Sequence, residues 1–193
     1  MKQEEVLLVL LNEYADWESA FLAAGLRTGG RYVPRVVGAT REPVCSLGGF
    51  RTLPDYDFQT LPDEYAALVL IGGTGWQSAA AAGVVGPVQH ARDNGRIVGG
   101  ICNGASFLAA HGFLNDVRHT GNTLEQLKLW GGDRYTNEAG YVERQAVADG
   151  GIVTANGTGY LEFSRELLLL LEADAPERIE ADYAFQKNGL YSA

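Results

Sequence analysis

The chain has 193 residues, of which 46% are apolar and 20% charged, and its formal net charge is −9. A chain of this length buries about 70% of the surface that it exposes when unfolded, which suits one domain spanning residues 1–193. Because 24 Asp and Glu outweigh 15 Lys and Arg, there is no basic stripe for a phosphate backbone. We therefore expect no nucleic-acid partner and no anionic-membrane partner.

The two cysteines, Cys45 and Cys102, lie far apart and belong to no Cys-x-x-Cys or Cys/His cluster. This arrangement predicts neither a disulfide framework nor a metal site, and we expect no cofactor. The opening segment MKQEEVLLVLL has only a short apolar run behind two glutamates. It predicts the first strand rather than a signal peptide or a membrane span, so we expect a protein of the reducing cytoplasm.

Apolar runs alternate with helix-like segments along the chain. The runs that predict strands cover residues 6–11, 32–38, 68–71, 97–101 and 152–154. The segments that predict helices cover residues 17–26, 76–94, 103–111, 123–130 and 159–172. Strands that are apolar on both faces and alternate with helices are typical of a parallel sheet covered on both sides. We predict a single-domain three-layer α/β sandwich.

Two segments fall outside this alternation. Residues 45–58, CSLGGFRTLPDYDF, place Gly-Gly between two short extended pieces and predict a small inserted hairpin, in which Cys45 is expected to be buried. The tail, residues 176–193, carries four large apolar side chains: Tyr183, Phe185, Leu190 and Tyr191. We expect this tail to dock on the domain or on a second subunit.

The segment RIVGGICNGASFLAAHG, residues 96–112, joins a predicted buried strand to a predicted helix. Gly100 and Gly104 flank Cys102 with the spacing of a nucleophile elbow, a sharp turn that raises one side chain above the sheet. The turn also puts the Cys102 sulfur at a helix N-terminus, where unpaired N–H groups and the helix dipole favour the thiolate. Cys102 is therefore predicted to be the reactive cysteine, the alternative being a small buried core residue.

Two further segments end at the same predicted edge of the sheet, which is the usual place for a site. LVLIGGTGW supplies Gly72 and Gly73, and a backbone N–H there can face one oxyanion together with that of Asn103. NEYADWESAFL follows the first strand, with Asp16 as the predicted helix N-cap and Glu18 in the first turn. Plain turn glycines and a solvated first-turn glutamate are the alternatives.

The segments ADWE, LVLIGGTG, IVGGICNGASFLAAHGFLNDVRHTGN and IVTANGTGYLEFSRELL resemble, in order and spacing, the ThiJ/PfpI family. This is the parkinsonism-associated-protein superfamily, with a flavodoxin-like, class I glutamine amidotransferase-like fold. The resemblance implies that Cys102 is a nucleophile or redox centre, that Glu18 is its carboxyl partner, and that Gly73 and Asn103 are oxyanion donors. A protonated Glu18 would donate a hydrogen bond to the thiolate and stabilise it. Since members of the family pair, the resemblance also implies a homodimer.

The sequence departs from this family where the family places its histidines. Members that resemble PfpI have a histidine directly after the cysteine, where this chain has Asn103. Other members have one further along, in a Thr-x-His segment, where this chain reads Thr120-Gly121-Asn122. Asn122 can position a substrate or a water, but it cannot accept a proton as a base. His119 is a candidate base if it turns inward, although in a strand its odd offset would send it to the opposite face.

Two classes of function remain open. The first is a small-molecule hydrolase or lyase that acts on an amide, a glyoxal adduct or a similar electrophile through Cys102, with Glu18 moving protons. The second is a redox sensor or chaperone-like stress protein in which Cys102 is oxidised to a sulfenic or sulfinic acid. Glutamine amidotransferase and peptidase activities are less favoured, because they require a histidine that the usual positions lack.

Overall fold

The computed structural model describes residues 3–191, and its main feature is a seven-stranded sheet. The strands are β1 (Glu4–Val9), β2 (Tyr32–Gly38), β3 (Val44–Cys45), β4 (Arg51–Thr52), β5 (Tyr56–Asp57), β6 (Ala67–Leu70), β7 (Ile97–Ile101), β8 (Ala146–Asp149) and β9 (Ile152–Ala155). The sheet has the order β5-β2-β1-β6-β7-β9-β8, while β3 and β4 form a separate ribbon. Neighbouring strands of the sheet are parallel except for β8, which runs antiparallel to β9 at one edge.

Helices cover both faces of this sheet. They are α1 (Asp16–Gly29), α2 (Val85–Asp93), α3 (Asn103–Ala110), α4 (Leu124–Gly131), α5 (Tyr160–Leu170) and α6 (Pro176–Asn188). Alternate side chains of β1 enter different cores: Leu7 packs in the cluster that includes residues of α2, α3 and α4, and Leu8 in the cluster with residues of α1 and α5. The predicted three-layer, mostly parallel α/β sandwich is confirmed. Among the described helices, none is both long and apolar enough to cross a membrane.

The predicted single helix over residues 76–94 is wrong in its first half. Thr74–Gln77 and Ala79–Val84 form short 3-10 helices, and only Val85–Asp93 is α-helical. Gly83 lies within the second of these 3-10 helices. A Cβ at Gly83 would lie 2.7 Å from Cδ2 of Phe58, so the glycine allows this segment to pack against that ring.

The predicted hairpin over residues 45–58 is shorter than expected. β3 pairs antiparallel with β4, but β5 pairs in parallel with β2 and extends the main sheet. The expectation that Cys45 is buried is wrong, because its side chain is exposed. Successive strand residues point to opposite faces, and here it is Val44 that faces the core.

The tail forms α6 and packs on α5 as far as it is described. Ile179 is buried, and both Tyr183 Oη and Lys187 Nζ donate to Oε1 of Glu162, at 2.9 and 2.5 Å. The remaining large apolar side chains of the tail are exposed: Phe185, Leu190 and Tyr191. Residues 192 and 193 of the predicted tail lie outside the described residues.

Candidate functional site

Cys102 occupies the turn between β7 and α3 with φ of 56° and ψ of −123°, a conformation that non-glycine residues rarely adopt. The flanking glycines permit this turn through close packing. A Cβ at Gly100 would lie 2.6 Å from Cδ1 of Leu108, and one at Gly104 would collide with the carbonyl oxygen of Leu70. Helix α3 therefore starts directly against β6, and the Cys102 side chain stands at the carboxyl edge of the sheet.

Glu18 lies beside the sulfur of Cys102. It is only 1% exposed, and its Oε2 accepts a hydrogen bond from the Gly72 N–H at 2.8 Å. Burial raises the pKa of Glu18 to about 7, against the opposing hydrogen bonds from Gly72 and Cys102. Burial and, after it, the charge of Glu18 raise the pKa of the Cys102 thiol.

These shifts run against the expectation that the helix N-terminus favours the thiolate form of Cys102. The Asn103 N–H at the start of α3 does lower the pKa of the thiol, but burial and Glu18 outweigh it. Two acids in such contact hold one negative charge between them, because a second ionisation is opposed by the first. Glu18 and Cys102 are therefore a pair that can exchange a single proton.

The Gly72-Gly73 turn serves both members of this pair. The carbonyl of Gly72 accepts from the Ala15 N–H at 3.0 Å, and on the other side of the same planar peptide the Gly73 N–H faces the Cys102 sulfur and lowers the pKa of its thiol. Gly73 has φ of 132°, and a Cβ there would collide with the backbone of the 13–14 segment. The turn thus supplies the Gly72 N–H to the carboxyl group and the Gly73 N–H to the sulfur.

Asn122 directs its side-chain amide at the sulfur. Its Oδ1 accepts from the Gly157 N–H at 2.9 Å, and since a backbone N–H can only donate, the amide nitrogen must face Cys102. Asn122 Nδ2 donates to Cys102 Sγ at 3.5 Å, and this contact lowers the pKa of the thiol. Asn122 therefore favours the thiolate without supplying a base.

Gly157 belongs to the site, although the sequence analysis missed it. A Cβ there would lie 3.1 Å from Cys102 Sγ and 3.3 Å from Glu18 Oε1, closer than nearly all real Cβ contacts. The absence of a side chain leaves this face of the pair open. One signal was present in the sequence, since Gly157 follows β9 at the same carboxyl edge as the other site residues.

His119 is not part of the site, and its candidacy as a base is wrong. It is fully buried, with Nδ1 2.8 Å from the Val117 carbonyl oxygen and Nε2 2.7 Å from the Tyr135 hydroxyl. Burial lowers the pKa of His119, which favours the neutral ring. Because both ring nitrogens already have partners, His119 holds its own segment in place and has no free atom to receive a proton from Cys102.

Asp16 does not cap α1 as predicted. The N-cap is Ala15, and Asp16 is the first helical residue. Its Oδ2 instead accepts from the Gly48 N–H at 2.8 Å, which fastens the β3–β4 ribbon to the start of α1.

A cavity of about 550 Å³ opens beside Asn122. Most of its lining residues are polar, among them Thr120, Thr123, Glu125, Tyr141, Arg144 and Asn156. Its size and position fit a small molecule rather than a folded polypeptide. Within residues 3–191, no three His, Cys, Asp or Glu side chains converge in a way that would hold a metal ion.

Comparison with known proteins gives a consistent result. The sequence profile of the DJ-1/PfpI family matches residues 4–170. A Bacillus subtilis protein named uncharacterized protease YdeA is 34% identical over 189 residues, covering 97% of this chain and 93% of that protein. The glutathione-independent glyoxalase DJR-1.2 of Caenorhabditis elegans is 25% identical over 179 residues, covering 91% and 92%. The crystal structure of a DJ-1 superfamily protein from Agrobacterium tumefaciens superposes with a TM-score of 0.88 at 38% identity, covering 95% and 97%.

Proposed function

Because the chain belongs to the DJ-1/PfpI family, we propose that it is a cysteine-dependent enzyme for small carbonyl electrophiles, with Cys102 as nucleophile and Glu18 as proton carrier. The observation that carries this proposal is the buried contact between the Glu18 carboxyl group and the Cys102 thiol. The glyoxalase name of one relative supports carbonyl chemistry, and the cavity beside Asn122 supplies room for a small substrate.

A 2-oxoaldehyde such as methylglyoxal can react at this pair without a cofactor. The Cys102 thiolate adds to the aldehyde carbon, and the former carbonyl oxygen takes up the proton held by Glu18, giving a thiohemiacetal. Glu18 then removes the C–H proton of that carbon and delivers it to the neighbouring carbonyl carbon, while the hydroxyl proton passes to the second oxygen. The resulting thioester reacts with water, which releases a 2-hydroxy acid and restores the thiol.

The surroundings of the pair suit each of these steps. A carboxyl group with a pKa near 7 is present in both protonation states at neutral pH, which is the condition for general acid–base catalysis. The N–H groups of Gly73 and Asn103, which lower the pKa of the Cys102 thiol, are the proposed donors to an oxyanion on the attacked carbon. Amide hydrolysis by a cysteine–histidine pair would require a histidine at the sulfur, and His119 is committed elsewhere. We therefore favour carbonyl substrates over peptides and glutamine.

The test is turnover of methylglyoxal and related oxoaldehydes by the purified protein, with the 2-hydroxy acid measured as product. We expect turnover by the wild type, its loss in Cys102→Ser, and its retention in the matched control Cys45→Ser. A wild type that converts none of these oxoaldehydes, or a Cys102→Ser variant that still converts them, would contradict the proposal.

Redox sensing is a second candidate, favoured by the donors around the sulfur. Asn122 Nδ2 and the N–H groups of Gly73 and Asn103 would bind the oxygen of a sulfenate or sulfinate as well as they bind a thiolate. In this chemistry peroxide oxidises the sulfur, transfers one oxygen to it and leaves as water. Mass mapping after limited peroxide treatment should show oxygen added at Cys102, and a protein that is oxidised there but turns over no carbonyl would be assigned to this function.

We further propose that the protein works as a homodimer in the cytoplasm. Four apolar side chains that are 46% to 69% exposed lie on α1 and on the adjoining residues 47–53: Trp17, Leu47, Phe50 and Leu53. The hydrogen bond from the Gly48 N–H to Asp16 joins the two elements, and a second copy would cover the exposed side chains. Sedimentation at micromolar concentration should show a dimer that Phe50→Glu weakens, and a wild-type monomer would contradict this.

The proposed cytoplasmic location is supported by the two cysteines, because both are free thiols, which suits a reducing compartment.

A further inference from the structure

The side chain of Asn103 takes no part in the proposed reaction, yet both ends of its amide are held. Nδ2 donates to the Gly73 carbonyl oxygen at 2.8 Å, and Oδ1 accepts from Gln126 Nε2 at 2.7 Å. A carbonyl oxygen can only accept, so the nitrogen of the Asn103 amide must face Gly73. The oxygen must then face a donor, and Gln126 supplies it.

Gln126 is well placed to hold this orientation. It lies half-buried in the first turn of α4, where its backbone N–H donates to the capping Thr123 Oγ1 at 3.0 Å. Its Nε2 also donates to Ser106 Oγ at 3.1 Å, and Ser106 is fully buried in α3. Both hydrogens of the Gln126 amide nitrogen therefore have acceptors, which leaves this side chain one favourable orientation.

We infer that Gln126 is a positioning residue for Cys102. Gln126 holds the Asn103 amide, and this amide holds the Gly73 carbonyl. The Gly73 N–H is thereby kept directed at the sulfur. The inference rests on the proposed function in taking Cys102 as the reacting atom. Gly73 has no side chain, and its neighbourhood is held from the opposite side by the Ala15 and Glu13 backbone. The Asn103 amide ties it to the first residue of α3, directly after Cys102.

Loss of the Gln126 donor leaves the Asn103 amide free to turn, which loosens the Gly73 segment and weakens the N–H contact with the thiolate. We expect alkylation of Cys102 by iodoacetamide at neutral pH to slow by about three- to tenfold, less than the full loss of a hydrogen bond to a charged group, because the Gly73 N–H contact is weakened and not removed. The midpoint of its pH profile should move upward.

The experiment measures the pH profile of Cys102 alkylation in the full chain by peptide mass mapping, with Cys45 in the same molecule as internal reference. Gln126→Met removes the donor without adding charge, Gln89→Met is a matched exposed control on α2, and Ser106→Ala leaves the Asn103 contact in place. We expect the shift only in Gln126→Met. Gln126→Leu, which also cannot donate to Asn103 Oδ1 and adds no charge, serves if the Met variant does not fold.

A double-mutant cycle separates positioning from a general structural effect. If Gln126 acts through Asn103, Gln126→Met should produce no further shift in an Asn103→Ala background. An unshifted profile in Gln126→Met, or an equal additional shift in the Asn103→Ala background, would overturn the inference. Because alkylation requires no turnover, a shifted profile in a protein that converts no oxoaldehyde would retain the positioning role and reject the proposed function.

Discussion

The two cysteines lie in regions that treat a thiol in opposite ways. Cys45 is exposed in the β3–β4 ribbon, and its sulfur donates a hydrogen bond to the carbonyl oxygen of Ser46 at 3.7 Å. Cys102 is half-buried, lies against the Glu18 carboxyl group, and accepts a hydrogen bond from the Asn122 amide. Among residues 3–191, no side chain forms a hydrogen bond with the more accessible sulfur. The groups that can stabilise the charge of Cys102 and move its proton are its neighbours, and the same neighbours bury part of its side chain.

The polar contacts of the two regions also differ in kind. Those around Cys45 are structural: its N–H donates to Asn12 Oδ1 at 2.9 Å, and its carbonyl accepts from the Glu13 N–H at 2.7 Å. Those around Cys102 surround the sulfur itself and place a titratable group against it. Substitutions in the two regions should therefore change different quantities.

The largest effect is expected from Glu18→Gln, which keeps a hydrogen-bonding amide but removes proton transfer. Turnover of methylglyoxal should fall by about 10²- to 10⁴-fold, the usual contribution of general acid–base catalysis. In the wild type, turnover should rise as pH passes through about 7, because the pair must lose its first proton before the thiolate forms. Glu138→Gln, an exposed glutamate on the surface, is the control and should leave both the rate and its pH profile unchanged.

The same residue should make the stability of the fold depend on pH. The pKa of Glu18 rises from 4.5 to about 7 on folding, so the unfolded chain ionises first and stability is lost as pH rises through this window. We expect wild type to lose about 2–3 kcal/mol of unfolding free energy relative to Glu18→Gln between these limits. Urea unfolding of both proteins at the two ends of the window measures this, and parallel pH curves would contradict a buried carboxyl with a raised pKa.

A smaller effect is expected from Asn122→Ala, which removes one donor from the sulfur. Alkylation of Cys102 at neutral pH should slow by about three- to tenfold, because the thiolate loses a hydrogen bond that its neutral form needs less. Alkylation of Cys45 in the same sample should not change. An equal loss at both cysteines would show that the substitution disturbs the whole fold rather than this contact.

The smallest effect is expected from Cys45→Ser. Its side chain is exposed and takes part in no contact with the site, so the unfolding free energy should change by no more than about 0.5 kcal/mol. Turnover should equal that of the wild type, as measured with the same oxoaldehydes. A clear loss of turnover in this variant would contradict the proposal that only Cys102 takes part in the reaction.

Local patterns in the sequence determined the sandwich and the elbow. The apolar runs that became β1, β2, β6, β7 and β9 are each continuous over a few residues, and such runs alternating with helices leave few arrangements besides a covered parallel sheet. The spacing of Gly100, Cys102 and Gly104 is likewise complete within five residues. That Glu18 lies near Cys102 could also be predicted, because each follows a strand and the strands of a parallel sheet end at one edge.

Tertiary contacts decided what these local signals leave open. Whether Asn122 or His119 faces the sulfur depends on Gly157, Val117 and Tyr135, whose partners are set by packing rather than by the 119–122 segment itself. Burial likewise, and not the helix N-terminus, determines the direction in which the pKa values of the pair move. Cys45 is exposed because Val44, the other residue of β3, is the one whose side chain faces the core. Each of these outcomes depends on groups brought together from distant parts of the chain, and a pattern read over a few neighbouring residues contains no information about them.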